Sequence, residues 1–140
     1  MNQSVVIERF RQYPSEDFVE GDPVRPAISK IIDYLIAAKP ENVCHLSFGM
    51  IQAVAGLKDS EEDHRTLYRT ISYITGERTQ LLELVFEYVM DDYAYILDDE
   101  EEADYRSTGS FSDPRTGVEV PDSSNHIHIY FKASRVLLQK

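Results

Sequence analysis

The sequence predicts an α+β fold, with a three-helix core followed by an extended acidic antiparallel β-hairpin or small sheet. Three observations predict it. Apolar residues recur at helical spacing over 28–36, two serines stand where helices would be capped, and beyond Gly76 the apolar period shortens to that of a strand. With 140 residues and 42% hydrophobic content the chain suits one domain over 25–140, preceded by an N-terminal arm over 1–24.

The arm opens on Val5, Val6, Ile7 and Phe10 and turns polar around Pro14, Gly21 and Pro23, the pattern of a brief helix and a linker. Ile28, Ile31, Ile32, Leu35 and Ile36 then fall at i, i+3, i+4, i+7 and i+8, with Pro26 suited to a first helical turn and Pro40 closing the segment. Ser47 predicts a cap, and Leu46 and Ile51 have the spacing of a hydrophobic staple. Ile51, Val54 and Ala55 supply the stripe of a helix of roughly three turns that ends at Gly56. Ser60 and Asp63 have the spacing of a capping box, so a third helix is expected over 61–75, with Gly76 as its C-terminal cap.

Beyond Gly76, Leu82, Leu84, Phe86, Tyr88 and Met90 alternate with Leu81, Glu83, Val85, Glu87 and Val89, which favours a strand. Leu81, Val85 and Val89 also fit a helical stripe, so 79–97 supports both readings. A second strand is expected over 93–97, and the charge of 98–104 predicts a solvent-facing loop or strand extension. Asp113, Pro114 and Gly117 mark a turn, 118–120 a short strand and 126–131 a clear one. In that last strand Ile127, Ile129 and Phe131 face one way and His126, His128 and Tyr130 the other. The tail over 133–140 suits a helical turn or a final strand. No internal repeat is present.

Three helices, the second and third joined by a tight turn and followed by a hairpin, resemble the winged helix-turn-helix superfamily over about 26–131. The resemblance is carried by the 28–36 stripe, by 46–57, and by the run 66–76, which is similar to a recognition helix leading into the wing. It implies a DNA-binding transcriptional regulator whose third helix enters the major groove, with Lys58, Arg65, Arg69 and Arg78 near the phosphates. Two features depart from that pattern: the stretch from 81 to 131 is longer than a two-stranded wing, and the third helix begins Glu61, Glu62, Asp63. Those acids suit a helix N-terminus and repel phosphate. Arg65 and Arg69 also have the spacing for ion pairs with Glu61 and Glu62.

The formal net charge is −11, and its distribution is uneven. Residues 81–106 carry ten acids against Arg106, a net −9, which leaves −2 for the remainder. The acid is interleaved with tyrosine, so the leading expectation is a non-enzymatic binding module. It would engage a protein partner, or itself as a dimer through unpaired strand edges, by way of Tyr93, Tyr95, Asp98, Asp99, Glu100, Glu101 and Glu102. DNA regulation is the alternative. A second alternative is a metal protein or enzyme using His126 and His128, which project from one strand face yet supply only two ligands.

Other chemistry finds no motif. Gly49, Gly56 and Gly76 are isolated and form no phosphate-binding loop, 98–104 lacks the ligand pattern of a calcium loop, and no serine stands in a nucleophile elbow. The carboxylates lie in charge runs, where solvation keeps them ionised, so neither a cofactor nor a small-molecule ligand is expected. Cys44 is the single cysteine; it excludes an internal disulfide and reads as a small core residue. No apolar run is long enough to span a bilayer and the first residues lack a signal-peptide pattern, so a cytoplasmic location is expected.

Overall fold

The computed structural model describes residues 3–134, so the tail expected to form a turn or strand lies outside the described residues from 135 onward. Helices α1 (Gln3–Asp17), α2 (Val24–Ala37), α3 (Phe48–Val54) and α4 (Glu61–Thr75) precede strands β1 (Leu82–Met90) and β2 (Tyr93–Ile96). Helix α5 (Asp99–Thr108) and strand β3 (Ile127–Ala133) follow. The strands form one sheet in the order β2-β1-β3. β1 and β2 pair antiparallel with Tyr88 opposite Tyr95. On the other side the Val89 N–H donates to the His126 carbonyl and the Ser134 N–H to that of Leu81, so β3 is antiparallel to β1 as well. The fold is therefore α+β. No described helix is long and apolar enough to cross a membrane.

The chain divides into two compact units, one holding α1 to α4 with the chain up to Glu83 and again from Phe131, the other Leu84–Tyr130. The first is assembled on α2. Helical spacing gathers Val24, Ala27, Ile28, Ile31, Ile32 and Leu35 on one stripe, each at most 2% exposed, and α1, α3 and α4 all pack against that helix. Burying each of the larger aliphatic side chains contributes about 1.5–3 kcal/mol. Pro26 lies in the first turn, where a missing N–H is harmless. The cap comes from Asp22, whose Oδ1 accepts the Val24 N–H at 3.0 Å. Ser47 and Ser60 cap α3 and α4 as their positions predict, accepting the N–H groups of Met50 and Asp63. The capping box at Ser60 is only half formed, because Asp63 Oδ2 accepts the Lys58 N–H at 2.7 Å instead.

Several expectations are corrected. The arm is a helix of 15 residues rather than a brief one, with Pro14 placed near its end, where few later turns depend on it. Helix α3 has seven residues, short of three turns, because Gly56 takes a left-handed φ of +73° just beyond it. Residues 98–104 open helix α5: Asp98 and Glu101 form a reciprocal capping box, the first-turn acids favour the helix dipole, and Gly109 at φ +73° ends it. Residues 118–120 contribute only an isolated bridge, Glu119 to Ser112. Cys44 is exposed, its Sγ donating to the Pro40 carbonyl at 3.0 Å, while Val43 and Leu46 beside it are buried.

In β3 burial does not follow the expected alternation. Ile127 and Tyr130 are buried and Ile129 is 41% exposed, then Phe131 and Ala133 are buried. The pattern changes where the strand passes from the second unit into the first, so no single buried face runs its whole length. The 79–97 segment resolves into β1 and β2.

Because the first unit is organised on α2, Ile28→Ala should destabilise it by about 2–5 kcal/mol. Urea unfolding checks this: the midpoint should fall with the slope unchanged.

Candidate functional site

The second unit is organised around a buried carboxylate. Asp113 opens the turn made with Pro114 and Gly117, its carbonyl accepting the N–H groups of Thr116 and Gly117, and it is 7% exposed. Tyr88 Oη donates to Asp113 Oδ2 at 2.8 Å. Arg115 closes on the same group through its backbone N–H and Nε to Oδ1, at 2.8 and 3.1 Å, and through Nη2 to Oδ2 at 2.8 Å. Its guanidinium then lies 4.0 Å over the Tyr93 ring. These hydrogen bonds from Arg115 hold the Asp113 carboxyl well below the ordinary carboxylate range, against the opposing effect of burial, with Tyr88 adding to the depression. Around the network pack Phe86, Leu97, Phe111, Val120 and Ile127.

Above that core, α5 carries the acid run. Glu101 Oε1 accepts both the Asp98 N–H at 3.0 Å and the Tyr95 hydroxyl at 2.6 Å, which pushes the Tyr95 phenol up to about 12. Tyr95 and Tyr93 stack with their planes 12° apart. Glu102 pairs with Arg106 at 3.1 Å, and burial raises its carboxyl. Asp98, Asp99 and Glu100 are exposed. A cleft of about 470 Å³ opens beside α5, lined by Glu101, Asp104, Thr108, Phe111 and Glu119 among others.

Of the seven residues expected at a partner surface, the structure thus brings Tyr93, Tyr95, Glu101 and Glu102 into packed or bonded positions, uses the exposed Asp98 as the cap of α5, and leaves Asp99 and Glu100 in solvent. Glu119 and Asp104, which share the cleft with Glu101, were not singled out from sequence. The signal for Glu119 was the turn at 113–117, which returns the chain toward Ser112. Tyr105 lies on α5, edge-on to Phe86 with the ring centroids 6.1 Å apart.

The four cations of the DNA reading all belong to the first unit. Arg69 is clamped by Asp22, Nη1 to Oδ1 at 3.1 Å and Nη2 to Oδ2 at 2.7 Å, rather than by Glu61 or Glu62. Arg78 is held by Asp17 and Glu16 at 2.9 and 3.0 Å, with its guanidinium 4.3 Å from the Tyr13 ring centroid, and the Tyr73 hydroxyl donates to the same Asp17. Arg69 and Arg78 lower the carboxyls of Asp22 and Asp17 in turn. Lys58 and Arg65 are exposed and make no ion pair among the described residues. His126 is half-buried and His128 exposed, and no group of three or more metal-ligating side chains forms among the described residues.

The charge divides along the same line as the contacts. Leu84–Tyr130 holds twelve acids against Arg106 and Arg115, a net −10, while the rest of the chain holds thirteen acids against twelve bases, a net −1. Comparison with protein-family models, with curated proteins and with solved structures finds no match to the chain.

Two measurements check this site. The folded-state Asp113 carboxyl lies below its unfolded value of 3.8, so its contribution to stability is complete above that value and is lost as the pH falls below it. Asp113→Asn should therefore lower the urea midpoint at pH 7, and the gap from the parent should narrow toward pH 2.5. Alkaline difference spectroscopy should show one tyrosine ionising near pH 12 that moves toward 10 in Glu101→Gln.

Proposed function

We propose that the chain is a non-enzymatic binding module that engages a basic protein surface through its acidic second unit. The observation that carries this reading is the partition of charge, a net −10 in Leu84–Tyr130 against −1 elsewhere. A field of one sign over a compact unit accelerates encounter with an oppositely charged partner and disfavours like-charged ones, phosphate backbones included. Arg106 and Arg115, already counted in that sum, are paired with Glu102 and Asp113, so the other ten carboxylates have no base of the unit beside them.

We also propose a winged-helix-like core for the first unit. The succession α2, α3, α4, β1, β3 supports it, together with the backbone pairing of Leu46, between α2 and α3, with Phe131 of β3. On this reading the second unit occupies the chain position of a wing. DNA contact by α4 would require Arg69 and Arg78 to leave Asp22, Asp17 and Glu16, and would bring Glu61, Glu62 and Asp63 toward phosphate. For that reason the protein partner is preferred over DNA, and the interaction involves no catalysis.

Fluorescence anisotropy with two probes tests the preference: a flexible peptide of lysine, glycine and serine, and a mixed-sequence duplex. The peptide should bind with an affinity that falls as salt rises, and the duplex should not bind at physiological ionic strength. Duplex binding that is steeply salt-dependent and abolished by Arg65→Ala with Arg69→Ala would replace this reading with the DNA one.

A further inference from the structure

We infer that the partner is taken up as an extended basic segment that pairs with the outer edge of β2. The inference rests on the reading of the second unit as the binding one and specifies how it binds. In the sheet order β2-β1-β3, β2 is an edge. The Leu97 N–H bonds the Phe86 carbonyl at 2.9 Å, and bonded pairs alternate along an antiparallel ladder. Tyr93 and Tyr95 therefore turn their backbone groups toward β1, and Ala94 and Ile96 turn theirs away from it. No described residue bonds these outward groups. The side chains divide in the same way: Tyr93, Tyr95 and Leu97 pack with the unit's core, while Ala94 is exposed and Ile96 is 55% exposed.

Such an edge invites another strand, and charge determines which kind. Asp91 and Asp92 directly precede β2, Asp98, Asp99 and Glu100 follow within four residues of its end, and all five are exposed. An incoming strand paired along Ala94 and Ile96 meets carboxylates at both ends. The unit's own two bases are paired elsewhere and do not neutralise them. A second copy would present the same net −10 and be repelled. A segment alternating lysine or arginine with aliphatic residues matches both the edge and its flanks. The opposite edge is already bonded in part, Phe131 to Leu46 and Ala133 to Val43.

The test uses the whole chain and a synthetic peptide alternating lysine and valine, with two N-methylated forms that each block one set of alternate amides. An edge-paired peptide uses one set only. One methylated form should therefore bind about tenfold weaker and the other about as the parent peptide does, and Ile96→Pro should weaken the parent peptide by a similar factor. Equal binding by all three peptides overturns the edge inference while leaving the acidic-surface reading intact. Failure of both this peptide and the flexible basic one overturns that reading itself. A concentration-dependent dimer that Ile96→Pro dissociates, seen by sedimentation, overturns the inference by assigning the edge to a second copy.

Discussion

Burial of the apolar stripe on α2 is the constraint on which the first unit depends. Three other helices need a surface to cover, and Val24, Ile28, Ile31 and Leu35 provide it. The cap of that helix then shapes the electrostatics of the whole unit. Asp22 sits where α2 begins, accepts the Val24 N–H and receives the fork of Arg69 from α4. A cation that a bare sequence offers to nucleic acid is held in place as part of the helix packing.

The two units use the same device. In the first, Asp17 receives a tyrosine hydroxyl from Tyr73 and the guanidinium of Arg78, which lies over Tyr13. In the second, Asp113 receives Tyr88 and Arg115, which lies over Tyr93. A carboxylate taken from water needs several donors, and a planar guanidinium supplies them while its flat face covers an aromatic ring. In the first unit bases are numerous enough that charge stays balanced around this device. In the second only two bases exist, both are engaged internally, and the acids on α5 and around β2 remain uncompensated.

What could be read from sequence followed the strength of local signals. The stripe of α2, the serine caps of α3 and α4 and the period-two run of β1 each rest on residues within one turn or one strand, and the structure bears them out. Charge density alone points to a loop over 98–104, whereas the helix follows from the capping pattern: Asp98 and Glu101 have the box spacing, and glutamate is a good helix former. Cys44 has the composition of a small core residue, but it is Val43 and Leu46 that turn inward here. The pairings of Asp22 with Arg69 and Asp17 with Arg78 join residues 47 and 61 positions apart, and no local rule anticipates them. Nor does one anticipate the cleft shared by Glu101 and Glu119.

Strand β1 leaves the first unit just after Glu83, and β3 re-enters it at Phe131, next to Lys132; the side chains of Glu83 and Lys132 meet at 3.4 Å. The intervening stretch thus departs and returns at one point of the sheet. Chain connectivity places little demand on what lies between, since a tight turn would join the same two ends. In chain terms the acidic unit is a single excursion from the helical unit, entered and left at neighbouring strand positions.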